Sequence, residues 1–461
     1  MRTLVWFRGK DLRVADHAPL AEAAAAGEVI PLFVVDPHFF APDRAATLPH
    51  RLQFLLEGLE SLAANLAHLG SRLVVIRGRS VEVVPRLAAA WQVDLVSAHR
   101  WTEPFGRQRD ERIATALGAT PLRLFEGETL FAPGSVLTGQ GGMFKVFTPF
   151  ARACSSRDPG SPLAAPKALP PLPEGVGPGE PLPTLDELGL DRNPRLQEGG
   201  ERAARQRLRT FLGRLGSYDE ARDQMGVEGT SRLSADLKFG TLSVRAAWAA
   251  VAAEPPSEGR RRFLGELLWR EFSHHLLWTW PHLLDHPFRP EWEGFPYDPD
   301  PAAFEAWAEG RTGFPVVDAA ARELRATGFV HNRARMIAAS FLTKHLLQDW
   351  RRGEAHYLRW LTDGDWAQNS LGWQWSAGCG VDAQPWFRIF NPVAQGQRFD
   401  PGGAYVRRWI PELASVPDRY LHEPWKAPAG VRGGYPDPLV ELSEARARFL
   451  AAAKDHLGRL D

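Results

Sequence analysis

Along the first 130 residues, short apolar runs alternate with stretches whose apolar positions recur every three or four residues. The runs TLVWF (3–7), VIPLFVVD (29–36), RLVVIRG (72–78), VDLVSAH (93–99) and PLRLFEG (121–127) predict five strands. Helix-like segments at 19–25, 51–69, 81–91 and 107–117 lie between them. Strands rich in Val, Leu and Ile that alternate with helices predict a Rossmann-like parallel sheet covered on both faces. A ligand of such a sheet sits at the carboxyl ends of its strands. No GxGxxG follows the first strand, so a dinucleotide fingerprint is absent. From about residue 201 the pattern turns helical. GELLWREFSHHLLW, VVDAAARELRATG and NRARMIAASFLTKHLLQDW carry that spacing, separated by turns such as EGRTGFP, with no strand run and no internal repeat. Residues 159–194 hold ten prolines, which predicts an extended connector without a core of its own. The expected organisation is an α/β domain over 1–130, a linker over 131–200 and an all-helical domain over 201–461.

Composition changes this picture in a few respects. The 55 basic and 55 acidic residues cancel, so only a local basic face could bind nucleic acid. The basic residues are 48 arginines and seven lysines. Arginine's planar fork suits phosphate, although genomic base bias produces the same excess. Cys154 and Cys379 make neither a disulfide framework nor a ligand set, which fits a reducing cytoplasm. Arg and Asp interrupt the N-terminal apolar run at once, and no apolar stretch approaches the roughly 20 residues of a membrane span. Of the 17 tryptophans, three precede residue 102 and fourteen follow residue 247, so the two halves differ chemically.

Several short segments combine residues able to do chemistry. GTSRLS (229–234) presents the hydroxyls of Thr230, Ser231 and Ser234 with Arg232 and Leu233, which is an anion site or an ordinary helix cap. In GELLWREF (265–272), Glu266, Trp269 and Arg270 share one helical face with Phe263 a turn earlier, as a cavity wall or a solvated ion pair. HNRARM (331–336) places Asn332 and Arg335 on one face and Arg333 and Met336 beside it, with capping and surface charge as the plain alternative. In DGDWAQNSLGWQW (363–375), Asp363, Gly364 and Asp365 could form a magnesium-binding DxD. No third carboxylate is near in sequence, however, and the indoles would crowd a hydrated ion. Asn369 and Trp373 share a face four residues apart. The histidines at 274, 275, 282 and 286 match no zinc spacing, so no metal site is expected and His275 is expected in the core.

Together and in this order, WFRGKDLRVADH, GTSRLS, GELLWREF, HNRARM, DGDWAQNSLGWQW and FRIFNPVAQG resemble the photolyase/cryptochrome family. The resemblance covers nearly the whole chain apart from 151–200, and its details are similar to bacterial class I photolyases that repair cyclobutane pyrimidine dimers. It implies a bent FAD in the helical domain, held by Tyr218, Thr230, Ser231, Arg232, Leu233, Ser234, Arg270, Asn332, Arg335, Asp363, Gly364 and Asp365. It also implies blue-light repair of UV-damaged DNA, in which a flipped-out dimer borrows one electron from reduced FAD and returns it. Glu266 would hydrogen-bond the dimer, and Asn369 would face the flavin N5. Phe263, Trp269, Met336 and Trp375 would form the apolar wall, and Arg222, Arg333 and Gln395 would touch the DNA strand. Trp373, Trp350 and Tyr297 match an electron-supply chain. Tyr297 stands where many relatives have tryptophan, with Trp292 and Trp307 nearby.

Phe263 also stands where a wall tryptophan is usual. The first motif carries an extra residue, Gly9-Lys10, in a loop that would border the antenna pocket. In EPFGRQRDER (103–112), Phe105 and Gly106 replace the Asn-Glu pair of folate-binding relatives. A second, light-harvesting chromophore is therefore expected to be a deazaflavin or FMN rather than folate. The alternative function is a cryptochrome-type blue-light photoreceptor; Asn369, Glu266, Met336 and the lack of a long tail after residue 450 favour the enzyme. Relatives that act on (6-4) photoproducts carry histidines near HNRARM, where this chain has Asn332 and Met336. A monomer is expected, without a membrane partner, in a bacterial cytoplasm and on the nucleoid when bound to DNA.

Overall fold

The computed structural model describes residues 1–458. Its contacts divide it into two compact units, Met1–Leu215 with Ser231–Pro281, and Gly216–Thr230 with the remainder from His282. The segment 131–200 therefore falls inside the first unit, and the helical region from 201 is shared between both. Among the described residues, no helix is long and apolar enough to cross a membrane.

In the first unit, β1 (Arg2–Phe7), β2 (Glu28–Val35), β3 (Val74–Arg77), β4 (Leu95–His99) and β5 (Leu122–Phe125) form one parallel sheet in the order β3-β2-β1-β4-β5. The two-residue side-chain period of a strand sorts the core. Val5, Phe7, Val29, Phe33 and Val35 pack with Leu52, Leu59, Leu62 and Leu66 of the helix Pro49–His68. Leu4, Trp6, Ile30, Leu32 and Val34 face Val83, Val84 and Leu87 of the helix Ser80–Ala90. Such double burial is why these strands read as continuous apolar runs. Strand order reverses between β1 and β4, so their carboxyl ends form the natural ligand crevice of this sheet.

The proline-rich segment has a packing that its composition did not announce. It is largely irregular, as its prolines dictate, yet Leu169, Leu188 and Leu190 are buried in the core beneath the helix Pro49–His68. The Leu169 N–H donates to the Leu69 carbonyl at 2.7 Å, and the Glu180 N–H donates to the Val75 carbonyl at 2.7 Å. A Cβ on Gly179 would lie 2.6 Å from the backbone N and O of Val75, so only glycine lets the chain pass this close to β3. The segment thereby covers the outer edge of the sheet, which would otherwise present unpaired backbone groups. Leucines scattered among prolines have no period, so this packing left no pattern in the sequence.

The second unit is helical, with no strand among its described residues. Its core gathers Phe314, Val317, Ile337, Phe341, Trp350, Tyr357, Trp373 and Tyr405. The helices Asn332–Ser340, Trp350–Trp360, Trp366–Ala377 and Pro392–Phe399 carry nine of the expected site residues. Each starts on a side-chain cap: His331, Asp349, Asp365 and Asn391 accept backbone N–H groups of the first turn.

Candidate functional site

Asp365 is an N-cap, its carboxylate accepting the Gln368 N–H at 3.0 Å. One turn later Asn369 is buried, and its Nδ2 donates to the Glu354 carbonyl of the helix Trp350–Trp360 at 3.1 Å. Trp373 follows a turn further on, edge-to-face with Trp307 (5.9 Å between centroids) and with Tyr357 (5.1 Å). Gly353 allows this packing, because a methyl there would collide with the Trp373 ring and Leu342. Trp350 is buried on the same helix as Glu354. Tyr297 packs on Phe295 at 4.8 Å, and burial pushes its phenol well above the ordinary value. Among the described residues, neither Trp350 nor Tyr297 is in ring contact with Trp373.

Burial also pushes the Glu354 carboxyl up to about 8, against an opposing hydrogen bond from Ser370. Arg335 reaches both oxygens of Asp363 from Nη2 at 2.9 Å and the Val330 carbonyl from Nε at 3.0 Å. Asn332 is exposed, and its Nδ2 donates to the Met336 sulfur at 3.8 Å. Tyr218 is buried beneath the Arg222 guanidinium, 5.6 Å from its ring. Met336 and Trp375 are half-buried.

In the first unit, Arg232 adopts a left-handed φ of 58°, sparsely populated for a residue with a side chain. The Leu233 N–H donates to Ser231 Oγ at 3.3 Å, and Ser234 opens the helix Ser234–Phe239. The helix Glu258–Thr279 carries Phe263, Glu266, Trp269 and Arg270. Trp269 is half-buried and stacks on Phe147 at 3.7 Å and 9°. Phe263 is only 4% exposed and packs on Phe211 at 4.5 Å. Arg270 is 5% exposed, and Nη1 and Nη2 donate to the carbonyls of Glu128 (2.6 Å) and Leu237 (3.4 Å). Its buried Nε has no hydrogen-bond partner in the protein. Hydroxyls, amides, paired charges and an arginine nitrogen left over in a buried place suit a ligand with a diphosphate and a polar-edged ring, so the donor set fits FAD.

A cavity of about 400 Å³ in the second unit is lined by Asp223, Arg333, Arg388, Phe390, Gln395, Arg398 and Phe399. Arg333 donates to Asp223 at 2.9 Å and lies 4.2 Å from the Phe399 ring, which Arg398 also approaches at 5.0 Å. Three arginines face one carboxylate, so the cavity is locally positive although the chain is neutral. Sequence reasoning found Arg333 and Gln395 but missed Arg388 and Arg398. The available signals were that Arg388 lies in FRIFNPVAQG and that Arg398 follows Gln395 at helical spacing.

At the carboxyl ends of β1 and β4, Arg8 and Arg109 are buried between Trp6 and Trp101, each within 5.6 Å of both rings. Arg8 Nη1 bonds Asp110 at 2.5 Å, while its Nε and Nη2 and the Trp101 Nε1 have no protein partner. The extra residue Lys10 is buried and bridges Glu103 at 2.7 Å and Glu128. Phe105 stacks on His38 at 4.1 Å. A Cβ on Gly106 would lie 2.6 Å from Trp101 Cβ, so the position where folate binders carry a side chain is closed to one here.

Two family models match the chain. One described as DNA photolyase covers residues 3–173, and one described as the FAD binding domain of DNA photolyase covers 263–455. The deoxyribodipyrimidine photo-lyase of Thermus thermophilus is 42% identical, with 98% of each chain covered. The crystal structure of a bacterial class III photolyase from Agrobacterium tumefaciens superposes with a TM-score of 0.91 at 36% identity, covering 99% of this chain and 97% of that one. A cryptochrome of Synechocystis superposes at 0.89 with 30% identity, covering 97% and 99%. The sheet with its edge-covering segment, the aromatic helical unit and these full-length matches agree: the chain belongs to the DNA photolyase family.

Proposed function

We propose that this protein is a light-driven deoxyribodipyrimidine photolyase that reverses cyclobutane pyrimidine dimers in DNA. Its family membership and its full-length likeness to proteins of that name give the reaction class. The observation that carries the residue-level reading is Asn369, an amide buried beside a tryptophan and fixed through Nδ2 to the Glu354 carbonyl, so that its oxygen is left for a ligand.

Tyr218, the 230–234 segment, Arg270, Asn332, Arg335, Asp363, Gly364 and Asp365 would hold FAD. Bound in reduced form, FAD supplies on blue-light absorption the single electron that opens the cyclobutane ring. Arg335 is held in place by its two-oxygen contact with Asp363 and would offer a fixed cation to the cofactor. Asn369 would help hold and orient the cofactor's ring. Trp269, Met336 and Trp375 would offer apolar surface to the flipped bases, with Phe147 stacked on Trp269. Glu266 hydrogen-bonds the dimer and stabilises the charge that develops on it. Trp373 and Trp350, with Tyr297 outermost, would supply electrons towards an oxidised cofactor. The arginine cavity, with Arg222 beside it, takes the DNA phosphates.

We also infer a second chromophore in the strand-end crevice, a deazaflavin or FMN, supported by the Arg8–Trp101–Arg109 cluster and by Gly106. Chromosomal substrate places the enzyme in the cytoplasm at the nucleoid, acting as a monomer. A duplex carrying one thymine dimer should bind in the dark at least roughly a hundredfold more tightly than its undamaged counterpart, as specific sites do over non-specific ones. Equal affinity for the two would remove the repair reading.

A further inference from the structure

The π-helical turn Phe341–His345 puts a lysine inside the second unit. Lys344 is fully buried, and among the described residues no carboxylate lies within ion-pair distance of it. Such a place is rare for lysine, since burying its ammonium costs more than burying a methionine of similar length. Burial draws its pKa down to about 7. Nζ donates to one acceptor, the Arg388 carbonyl, at 2.9 Å, and lies 5.9 Å from the Phe449 ring.

That acceptor belongs to a loop whose Trp386 and Ile389 pack against the core, and which is tied to it by two further hydrogen bonds. The Phe390 N–H donates to Ser340 Oγ at 3.4 Å, and Gln384 Nε2 donates to the Ser376 carbonyl at 3.2 Å. Between these points Phe387 is 58% exposed and Arg388 points outward. The same loop supplies Arg388 and Phe390 to the arginine cavity. Ser340 and Lys344, four residues apart, therefore hold one end of it from a single helical edge.

We infer that Lys344 is a positioning residue for DNA binding: by tying the Arg388 carbonyl to the core, it sets the 384–391 loop so that Arg388 and Phe390 line the cavity. This rests on the cavity being the DNA-phosphate site. Replacing the lysine by an apolar side chain removes a buried charge but leaves that carbonyl without its partner.

Lys344→Met and Lys344→Gln test it by hydrogen exchange, flavin absorbance, thermal melting and affinity for dimer-containing duplex. In Lys344→Met, exchange across 384–391 and the Kd should each rise roughly tenfold. FAD content, Tm and repair yield at saturating DNA should stay near those of the parent. Lys344→Gln keeps a donor and should restore part of the protection. Unchanged exchange and Kd in Lys344→Met, or equal effects of Gln and Met, overturn the inference, as does an affinity loss that tracks loss of flavin or Tm. If Lys344→Met does not fold, Lys344→Gln alone must raise loop exchange with flavin retained, or the inference fails. A parent protein with no preference for dimer DNA would instead sink the DNA reading, while the exchange comparison still judges the anchor.

Discussion

Glu266 and Asn369 separate repair from mere flavin binding, because neither is needed to neutralise a phosphate. Glu266→Ala should lower repair yield at saturating DNA roughly tenfold, the scale of one hydrogen bond to a developing charge, with FAD still bound. Loss of FAD from that variant would assign Glu266 to the cofactor instead. Trp373→Phe should stop photoreduction of the oxidised enzyme and leave repair by chemically reduced enzyme intact. Photoreduction at the parent's rate would break the assignment of Trp373 as the inner donor, and would turn attention to its ring neighbours Trp307 and Tyr357. Asn369, Arg335 and Asp363 could be singled out beforehand, because they sit among other unusual residues at helical spacing. Arg388 and Arg398 were not, because an arginine in an exposed loop or on a helix is ordinary until tertiary packing gathers several around one cavity.

At the scale of elements, the helices Trp350–Trp360 and Trp366–Ala377 form the frame of the site, meeting where Gly353 faces Trp373. Gly353→Ala should therefore lower stability by about 1–3 kcal/mol, the usual cost of overpacking, and slow photoreduction; denaturant unfolding and flash spectroscopy would show both. Glu354 on the first helix adds a pH dependence. The folded protein keeps its proton up to about pH 8, whereas the unfolded chain releases it near the ordinary 4.5. Folding thus takes up a proton between those values. Stability is full below about 4.5 and falls as pH rises towards 8. Glu354→Gln should flatten that fall and raise the Tm at pH 8 by roughly several degrees; an unchanged pH profile would contradict it. The five strands, and the helices between them, were legible because apolar period follows burial. The packing of the proline-rich connector was not legible, because it rests on three isolated leucines and two backbone bonds, of which only that from Glu180 reaches β3.

For the whole molecule, zero net charge says nothing against a nucleic-acid partner once Arg333, Arg388 and Arg398 are seen around one carboxylate. Arg398→Ala should weaken DNA binding and reduce the slope of log K against log salt by about one, as expected for one lost phosphate contact. An unaltered slope would take Arg398 out of the interface. The division of the chain at 215, 231 and 281 had no counterpart in the sequence reading, which placed all of 201–461 in one helical domain. The most direct measurement follows thymine absorbance in an oligonucleotide carrying one thymine dimer, with purified protein under reducing conditions and blue light, beside a dark control. Light-dependent recovery over many turnovers, with none in the dark, is the predicted result. Bound FAD with no recovery in the light would contradict repair and move the protein to the photoreceptors of its family.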